Sequence, residues 1–307
     1  MHHLIINPAS KSGKGVHIFE RLEPYLIKQK ADYQTYFTTG NGDATIFIRE
    51  IIDTSVVIPV KVIVLGGDGT INEVLQGIDD FSKVILGYIP TGSSNDLARD
   101  LQLSKDPIVN LNSILDGKKT VTMDIGQITY EDGSSRKFAV SGGIGFDAAV
   151  CEEAMYSAIK DFLNHIGLGK LTYLGIALRQ LFTAKKASCD LYIDDNDPIH
   201  INRLLFIASM VHKYEGGGFL FCPEASYKDG LLDICAVGNI SIVRALVILP
   251  TAFFGKHKLF KGVDIYRGSN MKIHTSVPLW VHTDGEVKKK VDNITISCLR
   301  NKLTFYI

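Results

Sequence analysis

The feature that most narrows what this chain can fold into is the run Lys61-Val62-Ile63-Val64-Leu65, followed at once by Gly66-Gly67-Asp68-Gly69-Thr70 and then by Ile71-Asn72-Glu73-Val74-Leu75-Gln76-Gly77. A short apolar run stopped by glycine reads as a buried strand, and the residues behind the turn carry helical spacing. A strand, tight turn and helix in that order belong to a parallel sheet with crossover helices. Three further apolar runs, 4–7, 33–38 and 84–89, alternate with helical patterns over the first 120 residues, so the amino-terminal part is expected to be an α/β domain.

From residue 120 the pattern changes to long alternating stretches with Asp-Gly turn signals: 120–130, 137–141, 188–194, 199–210, 231–237, 263–275 and 279–283, with a helical interlude at 148–186. Alternation with tight turns is the mark of antiparallel strands. At 307 residues the chain exceeds the usual size of a single core. Two domains are therefore expected: an α/β domain over 1–125, joined by the alternating tail 293–307, and a β-rich antiparallel, sandwich-like domain over 126–292.

Composition excludes several classes. The 33 basic and 33 acidic residues cancel, so no whole-molecule field draws the chain to nucleic acid, and an anionic ligand has to be met locally. Cys151, Cys189, Cys222, Cys235 and Cys298 are odd in number and never in a C-x-x-C, which argues against a disulfide framework and a thiolate zinc site. The most apolar stretch, 240–254, contains Arg244 and Pro250 and is too short to span a bilayer. The amino terminus enters a strand-like run with no secretory pattern. A cytoplasmic setting is expected.

The glycine turn at 66–70 suits an anion: glycines let backbone N–H groups approach it, and the helix start behind them adds a favourable dipole. A tight βα loop capped by Thr70 explains the glycines equally well. The acid Asp68 inside the turn shifts the balance, because it would repel a phosphate unless a cation such as Mg²⁺ lay between them. Two other glycine stretches resemble better-known loops in part. Gly13-Lys14-Gly15 is no P-loop, since glycine follows the lysine where Ser or Thr is needed. Gly143-Ile144-Gly145-Phe146-Asp147-Ala148 satisfies G-x-G-x-x-A, but no second strand ending in an acid follows, so a turn at the domain junction is preferred over a dinucleotide site.

Asn7-Pro8-Ala9-Ser10 after the first strand, Pro90-Thr91-Gly92-Ser93-Ser94-Asn95-Asp96-Leu97-Ala98-Arg99 after the fourth, and Thr283-Asp284-Gly285-Glu286 near the end join the turn at 66–70. Together they resemble the catalytic-domain family of diacylglycerol and sphingosine kinases, in particular the soluble bacterial diacylglycerol kinases, over essentially the whole chain. Asn72-Glu73 behind the glycine turn and the Asn95-Asp96-x-Ala-Arg run carry the lipid-kinase form; Ser93 stands where the family more often has Thr and keeps the hydroxyl.

The resemblance implies an NAD kinase-like nucleotide domain, a β-rich lipid domain, and an ATP- and Mg²⁺-dependent transfer of phosphate to a lipid hydroxyl in the cleft between them. On it, Asn7, Pro8, Lys14, Gly66, Gly67, Asp68, Gly69, Thr70, Glu73, Gly92, Ser93, Asn95, Asp96, Lys170 and Glu286 contact the nucleotide. Asp68, Asp96 and Asp124 form the catalytic Mg²⁺ network, and Asp284 is the general base. A structural Mg²⁺ would sit on Asp229 with the carbonyls of Ser226 and Leu231. Read without the family, Lys14 and Lys170 are solvated lysines, Asn95 and Asp96 cap a helix, Asp229 is a turn acid, and Asp284-Gly285 is a type I′ hairpin. Asp124, an acid inside an apolar run, needs a partner that metal-bound water would supply.

The implied acceptor is diacylglycerol or a related lipid met at the inner face of the membrane, and the implied assembly is a homodimer. Phe253, Phe254, Leu259 and Phe260 interleaved with Lys256, Lys258 and Lys261 suit an anionic bilayer, or equally an apolar helix end with solvated lysines. The competing functions are a kinase of a soluble substrate, such as NAD or a sugar, and a nucleotide-binding regulator without activity; retention of Asp68, Asp96, Asp124 and Asp284 together speaks against the regulator.

Overall fold

His2–Ile6 (β1) is a short apolar strand, buried at Leu4, Ile5 and Ile6. It lies between Tyr33–Phe37 (β2) and Val60–Gly66 (β3), parallel to both. Val84–Pro90 (β4) continues the sheet beside β3, again parallel, and Thr304 and Phe305 at the end of the last strand run parallel to its far edge. The computed structural model describes residues 1–40, 42–155, 169–183 and 187–307. Two units emerge, residues 1–125 with 300–307, and residues 126–299.

In the first unit, alternation along the strands assigns side chains to two faces. Leu4 and Ile6 of β1 and Ile63 and Leu65 of β3 pack with Phe19, Leu22 and Leu26 of the helix Gly15–Lys28 (α2) and with Leu111 and Ile114 of Pro107–Asp116. That last helix is delimited by its own chemistry: Asp106 caps the Ile108 N–H at 3.0 Å, Pro107 opens the first turn, and Gly117 closes it in the left-handed region. The other face is covered by Asp43–Thr54 and Asp68–Gln76 (α4), which pack on each other and on β1 and β3. The chain leaves β1 toward β2 and returns on the opposite side to β3. The carboxyl ends of β1 and β3 therefore flank a switch point, where open α/β sheets bind ligands.

In the second unit the strands pair antiparallel, beginning with the later part of Thr120–Tyr130 (β5), whose Gly126 to Thr129 face Phe138 to Ser135 of Ser135–Phe138 (β6). The other strands are ordered Val263–Gly268 (β11), Leu232–Gly238 (β10), Ile199–Met210 (β9), Ser141–Gly145 (β7), Asn270–Thr283 (β12) and the first part of Glu286–Tyr306 (β13). Ala187–Ile193 (β8) pairs with the beginnings of both β9 and β12, whose later halves instead pair with β7. Two cores result, and β10 serves both: Leu232, Ile234 and Ala236 face the inter-strand core, whereas Cys235 and Val237 face a second core built with Phe146–Met155 (α7), Gly169–Thr183 and Ile242–Thr251.

The structure departs from the sequence reading in two places. The expected single run over 263–275 is broken between Gly268 and Asn270, because the Asp194 carboxylate accepts the N–H groups of Ser269 and Asn270 at 3.0 and 2.9 Å and turns the chain there. The tail expected to join the first domain from residue 293 does so only from residue 300. Asn293 to Ser297 are held in the second unit as antiparallel partners of Asn270 to His274.

Candidate active site

In the first unit the expected nucleotide residues converge at the carboxyl ends of β1, β3 and β4. Asn7, the residue after β1, donates its side-chain amide to Thr70 Oγ1 at 3.0 Å and accepts the Ala9 N–H at 3.0 Å. Ser10 donates to the Asn7 carbonyl and accepts from Thr91 Oγ1 at 2.8 Å, which ties the loop after β1 to the loop after β4. Gly15 is required by close approach, since a Cβ there would lie 2.1 Å from the Asn7 carbonyl oxygen. Pro8 lies half-buried beside Asn7, and Lys14 lies exposed at the entry to α2 in no ion pair among the described residues.

Gly67 and Gly92 meet backbone to backbone: a Cβ on Gly92 would sit 2.6 Å from the Gly67 Cα. Neither Gly66 nor Gly67 has positive φ, so these glycines serve the close approach of two loops, and Gly66 the bulk of Thr70, rather than an unusual backbone angle. α4 begins directly at Asp68, with Gly69 and the buried Thr70 in its first turn and Glu73 half-buried one turn on. Asp68 Oδ2 accepts the Asp96 backbone N–H at 2.8 Å, and Asp68 Oδ1 lies 3.4 Å from the Tyr88 hydroxyl. Tyr88 is fully buried; burial first, and then the neighbouring Asp68 charge, push its phenol well above the ordinary range. Its O–H is shared with Asn95 Oδ1 at 3.2 Å. Asn95 adopts φ 52° and closes its own loop by accepting the Gly92 N–H and donating to the Gly92 carbonyl, both at 2.9 Å, with Ser93 exposed at the tip. The buried Asp96 is 3.6 Å from Arg99 Nε. Asp68 and Asp96 thus offer oxygen donors at a helix N-terminus, a set that suits Mg²⁺ and phosphate.

Asp124 is fully buried, and the protein supplies the partner that its burial demanded: Oδ1 accepts the Asn301 N–H at 2.6 Å. Lys170 falls in the first turn of Gly169–Thr183, and its side chain lies outside the described residues.

In the second unit Asp284-Gly285 forms a two-residue hairpin, both residues at positive φ (50° and 84°), between the paired Thr283 and Glu286. That is the turn the dipeptide favours. The Asp284 side chain has a further task. Oδ2 accepts the Ala139 N–H at 2.8 Å, and Oδ1 accepts those of Val140 and Ser141 at 2.8 and 3.0 Å. Asp229 closes a turn by accepting the Leu231 N–H at 3.1 Å, with Gly230 at φ 78° and Ser226 half-buried three residues earlier.

The sequence reading missed a cluster beside the hairpin. His282 is buried on β12, with Nε2 3.1 Å from Asp147 Oδ2 and 3.5 Å from Glu215 Oε1. Burial pushes the imidazole down, but the Asp147 and Glu215 carboxylates outweigh it and raise it to about 9. The Gly285 N–H faces Nδ1 at 3.2 Å, which places the proton of the neutral ring on Nε2, toward Asp147. With Asp147 Oδ2 and Glu215 Oε1 beside Nε2, the three residues read as a proton-holding group. The cluster also explains the G-x-G-x-x-A stretch. A Cβ on Gly143 would lie 2.4 Å from Asp147 Oδ2 and 2.7 Å from His282 Nε2, and Gly145 has φ 117°. These glycines lie in β7, antiparallel to β9 and β12, so they form neither a parallel dinucleotide unit nor the junction turn that was preferred. Only Asp147, inside that stretch, carried a signal in the sequence; Glu215 lies between His212-Lys213-Tyr214 and three glycines, His282 precedes Thr283-Asp284, and neither spacing points to the other.

Comparison with known proteins agrees with this layout. Residues 2–128 match the diacylglycerol kinase catalytic domain family, and residues 141–305 match the YegS C-terminal NAD kinase beta sandwich-like domain family. A diacylglycerol kinase from Mycobacterium tuberculosis is 31% identical over 229 residues, covering 73% of this chain and 70% of the relative. The crystal structure of a diacylglycerol kinase from Bacillus anthracis superposes with a TM-score of 0.70 at 20% identity, covering 99% and 96% of the two chains. An NAD kinase from Archaeoglobus fulgidus, solved in complex with ATP, shares the fold with a TM-score of 0.54 at 12% identity, covering 100% of this chain and 94% of that one. The chain belongs to the diacylglycerol kinase family, and it is a lipid kinase.

Proposed function

We propose that the chain transfers the γ-phosphate of ATP, with Mg²⁺, to the free hydroxyl of diacylglycerol or a closely related lipid. The observation that carries this reading is the arrangement around Asp68: an acid opening α4 at the switch point of a parallel sheet, hydrogen-bonded to the Asp96 backbone, beside the facing glycines 67 and 92. Facing glycines bring backbone close to a phosphate, the helix N-terminus favours its charge, and the two acids suit the cation that travels with it. ATP as donor is further supported by the archaeal NAD kinase of the same fold, solved with ATP.

Mg²⁺, when bound, shields the charge of the transferring phosphate; Asp68 and Asp96 would hold it, with Asp124 as the third acid of the network. Asn7, Thr70, Asn95 and the 66–70 turn would shape the phosphate pocket, Lys14 and Lys170 would meet phosphate oxygens, and Glu73 and Glu286 would line the nucleotide. Asp284 would accept the proton of the lipid hydroxyl, its carboxylate aimed by the amides of 139–141. Asp229, with the carbonyls of Ser226 and Leu231, would take a structural cation.

Membership of the diacylglycerol kinase family supports a lipid acceptor over a sugar or NAD. The second unit also holds an apolar cavity of about 30 Å³, lined by Phe146, Phe206, Phe221, Ile248 and Ala252 among others, about the volume of one water. Among the described residues no helix is long and apolar enough to cross a membrane, so the lipid would be met from the surface of the bilayer at its inner face. The test is transfer of label from γ-³²P-ATP to a panel of lipids in mixed micelles, with NAD and a hexose as soluble controls. Labelling of a soluble control and of no lipid would overturn the assignment.

A further inference from the structure

In the second unit the helix Ile242–Thr251 and the two short turns after it, Ala252–Phe254 and His257–Leu259, present two unlike faces. Ala245, Ile248, Leu249, Ala252 and His257 point into the apolar cavity. On the opposite side Val243, Val247, Phe254 and Leu259 are 71%, 59%, 74% and 78% exposed. Scattered surface apolar residues need no explanation, but four large ones at such exposure in seventeen residues, spaced i, i+4 on the helix, form a patch. Phe182 of the helix Gly169–Thr183, which packs against the same helix, is 66% exposed as well.

The charge around the patch is one-sided. Residues 239–262 carry Arg244, Lys256, Lys258 and Lys261 and no acid, in a chain whose net charge is zero. Among the described residues only Lys258 has an acidic partner there, Glu224 at 2.6 Å, and all four cations are exposed. Apolar tips ringed by cations match a surface that is anionic outside and hydrocarbon beneath.

We infer that this face, Val243, Val247, Phe254 and Leu259 with Arg244, Lys256 and Lys261, docks on an anionic phospholipid bilayer. The inference rests on the lipid-kinase reading for its choice of partner, but not for its geometry. The inner face of the helix walls the cavity and its outer face enters the headgroup layer. The surface needs no nucleotide and no metal to act.

The experiment is co-sedimentation of the full chain with vesicles of phosphatidylcholine alone and of phosphatidylcholine with 30 mol% phosphatidylglycerol, in parallel with the micelle assay. Wild type is expected on the anionic vesicles and not on the neutral ones. Phe254→Ser with Leu259→Ser is expected to weaken partition about tenfold or more, and Lys256→Gln with Lys261→Gln about fivefold per lysine at low salt. Melting temperature should stay near wild type in both variants, because these side chains are exposed and none of them lines the cavity. Vesicle binding unchanged in both variants would overturn the surface while leaving the kinase reading intact. Vesicle binding lost as expected from a chain that labels no lipid would sink the kinase reading and keep the surface. A dimer in light scattering that Phe254→Ser dissociates, with no vesicle binding by wild type, would assign the patch to a second copy of the chain and overturn the proposal.

Discussion

The backbone N–H of Asp96 donates to Asp68 Oδ2 at 2.8 Å, so two acids on different loops, after β3 and after β4, are held together by a bond that uses only one of the two side chains. The bond fixes the orientation of Asp68 at the start of α4 and leaves the charge of both residues in one place. Arg99, 3.6 Å from Asp96, offsets part of that charge, and two acids at a helix N-terminus are the donor set for which Mg²⁺ is expected there.

Asp68→Asn retains a carbonyl oxygen for the Asp96 N–H and removes the charge. Its stability is expected within about 1 kcal/mol of wild type, while turnover falls by at least about 10²-fold. Unfolding curves and Mg²⁺-dependent ATP turnover on one preparation check this. Wild-type turnover would show that the acid serves the loop and not the chemistry.

Gly92→Ala introduces a Cβ at 2.6 Å from the Gly67 Cα, where backbone meets backbone and no side chain can swing away. A loss of about 1–3 kcal/mol is expected, together with weaker ATP binding as the two loops part. Thermal melting and calorimetric titration with ATP report the two effects, and an alanine variant as stable as wild type would contradict the close approach.

Asp284→Asn would be a clean test of a general base if the residue were only a hairpin acid, because Asn-Gly suits the same turn. The three N–H groups that converge on the carboxylate change the expectation. An asparagine turns an NH₂ donor toward at least one of Ala139, Val140 and Ser141, so a loss of about 1–3 kcal/mol should accompany a fall in lipid turnover of about 10²- to 10⁴-fold. Melting, ATP binding and lipid phosphorylation measured together separate the effects. Phosphorylation within threefold of wild type, at reduced stability, would leave Asp284 as a staple of the 139–141 loop alone.

The His282 imidazole is raised from 6.5 to about 9, so below pH 6.5 it is charged in both folded and unfolded chains and its pairing with Asp147 and Glu215 contributes in full. That contribution declines as pH climbs through 6.5 and is gone above about 9, where the ring is neutral in both states. Melting temperature followed from pH 6 to pH 10 should therefore fall more steeply in wild type than in Asp147→Asn. Parallel curves for the two proteins would remove the pairing from the account.

The stretch Gly143 to Ala148 is expected to bind no NAD, because its glycines make room for Asp147 and His282 on an antiparallel strand. Saturable micromolar binding in a calorimeter would contradict this.

Much of the first unit was legible because its signals are local. An apolar run of five to seven residues can bury only as a strand of a covered sheet, and the loops after β1, β3 and β4 hold the residues proposed for the site consecutively, so they could be read in order. The motif 283–286 was legible for the same reason. The break at Ser269 was not, because it depends on Asp194, seventy-five residues earlier, reaching its backbone. Nor was the boundary at residue 300, since alternation continues unbroken through β13 while its pairing partner changes.

The sequence by itself determined the fold class and the family, and it named the residues proposed for phosphate and proton chemistry, because each rests on residues close together in the chain. Only the tertiary structure decided how those residues are used. It showed that Gly67 and Gly92 serve each other, that Asp124 is satisfied by Asn301, and that the Asp284 carboxylate is held by the amides of 139–141. It also brought Asp147, Glu215 and His282 into one buried group. The reason is distance: a hydrogen bond or a close approach between residues tens to hundreds of positions apart leaves no periodicity, and burial decides its strength only once the chain has closed around it.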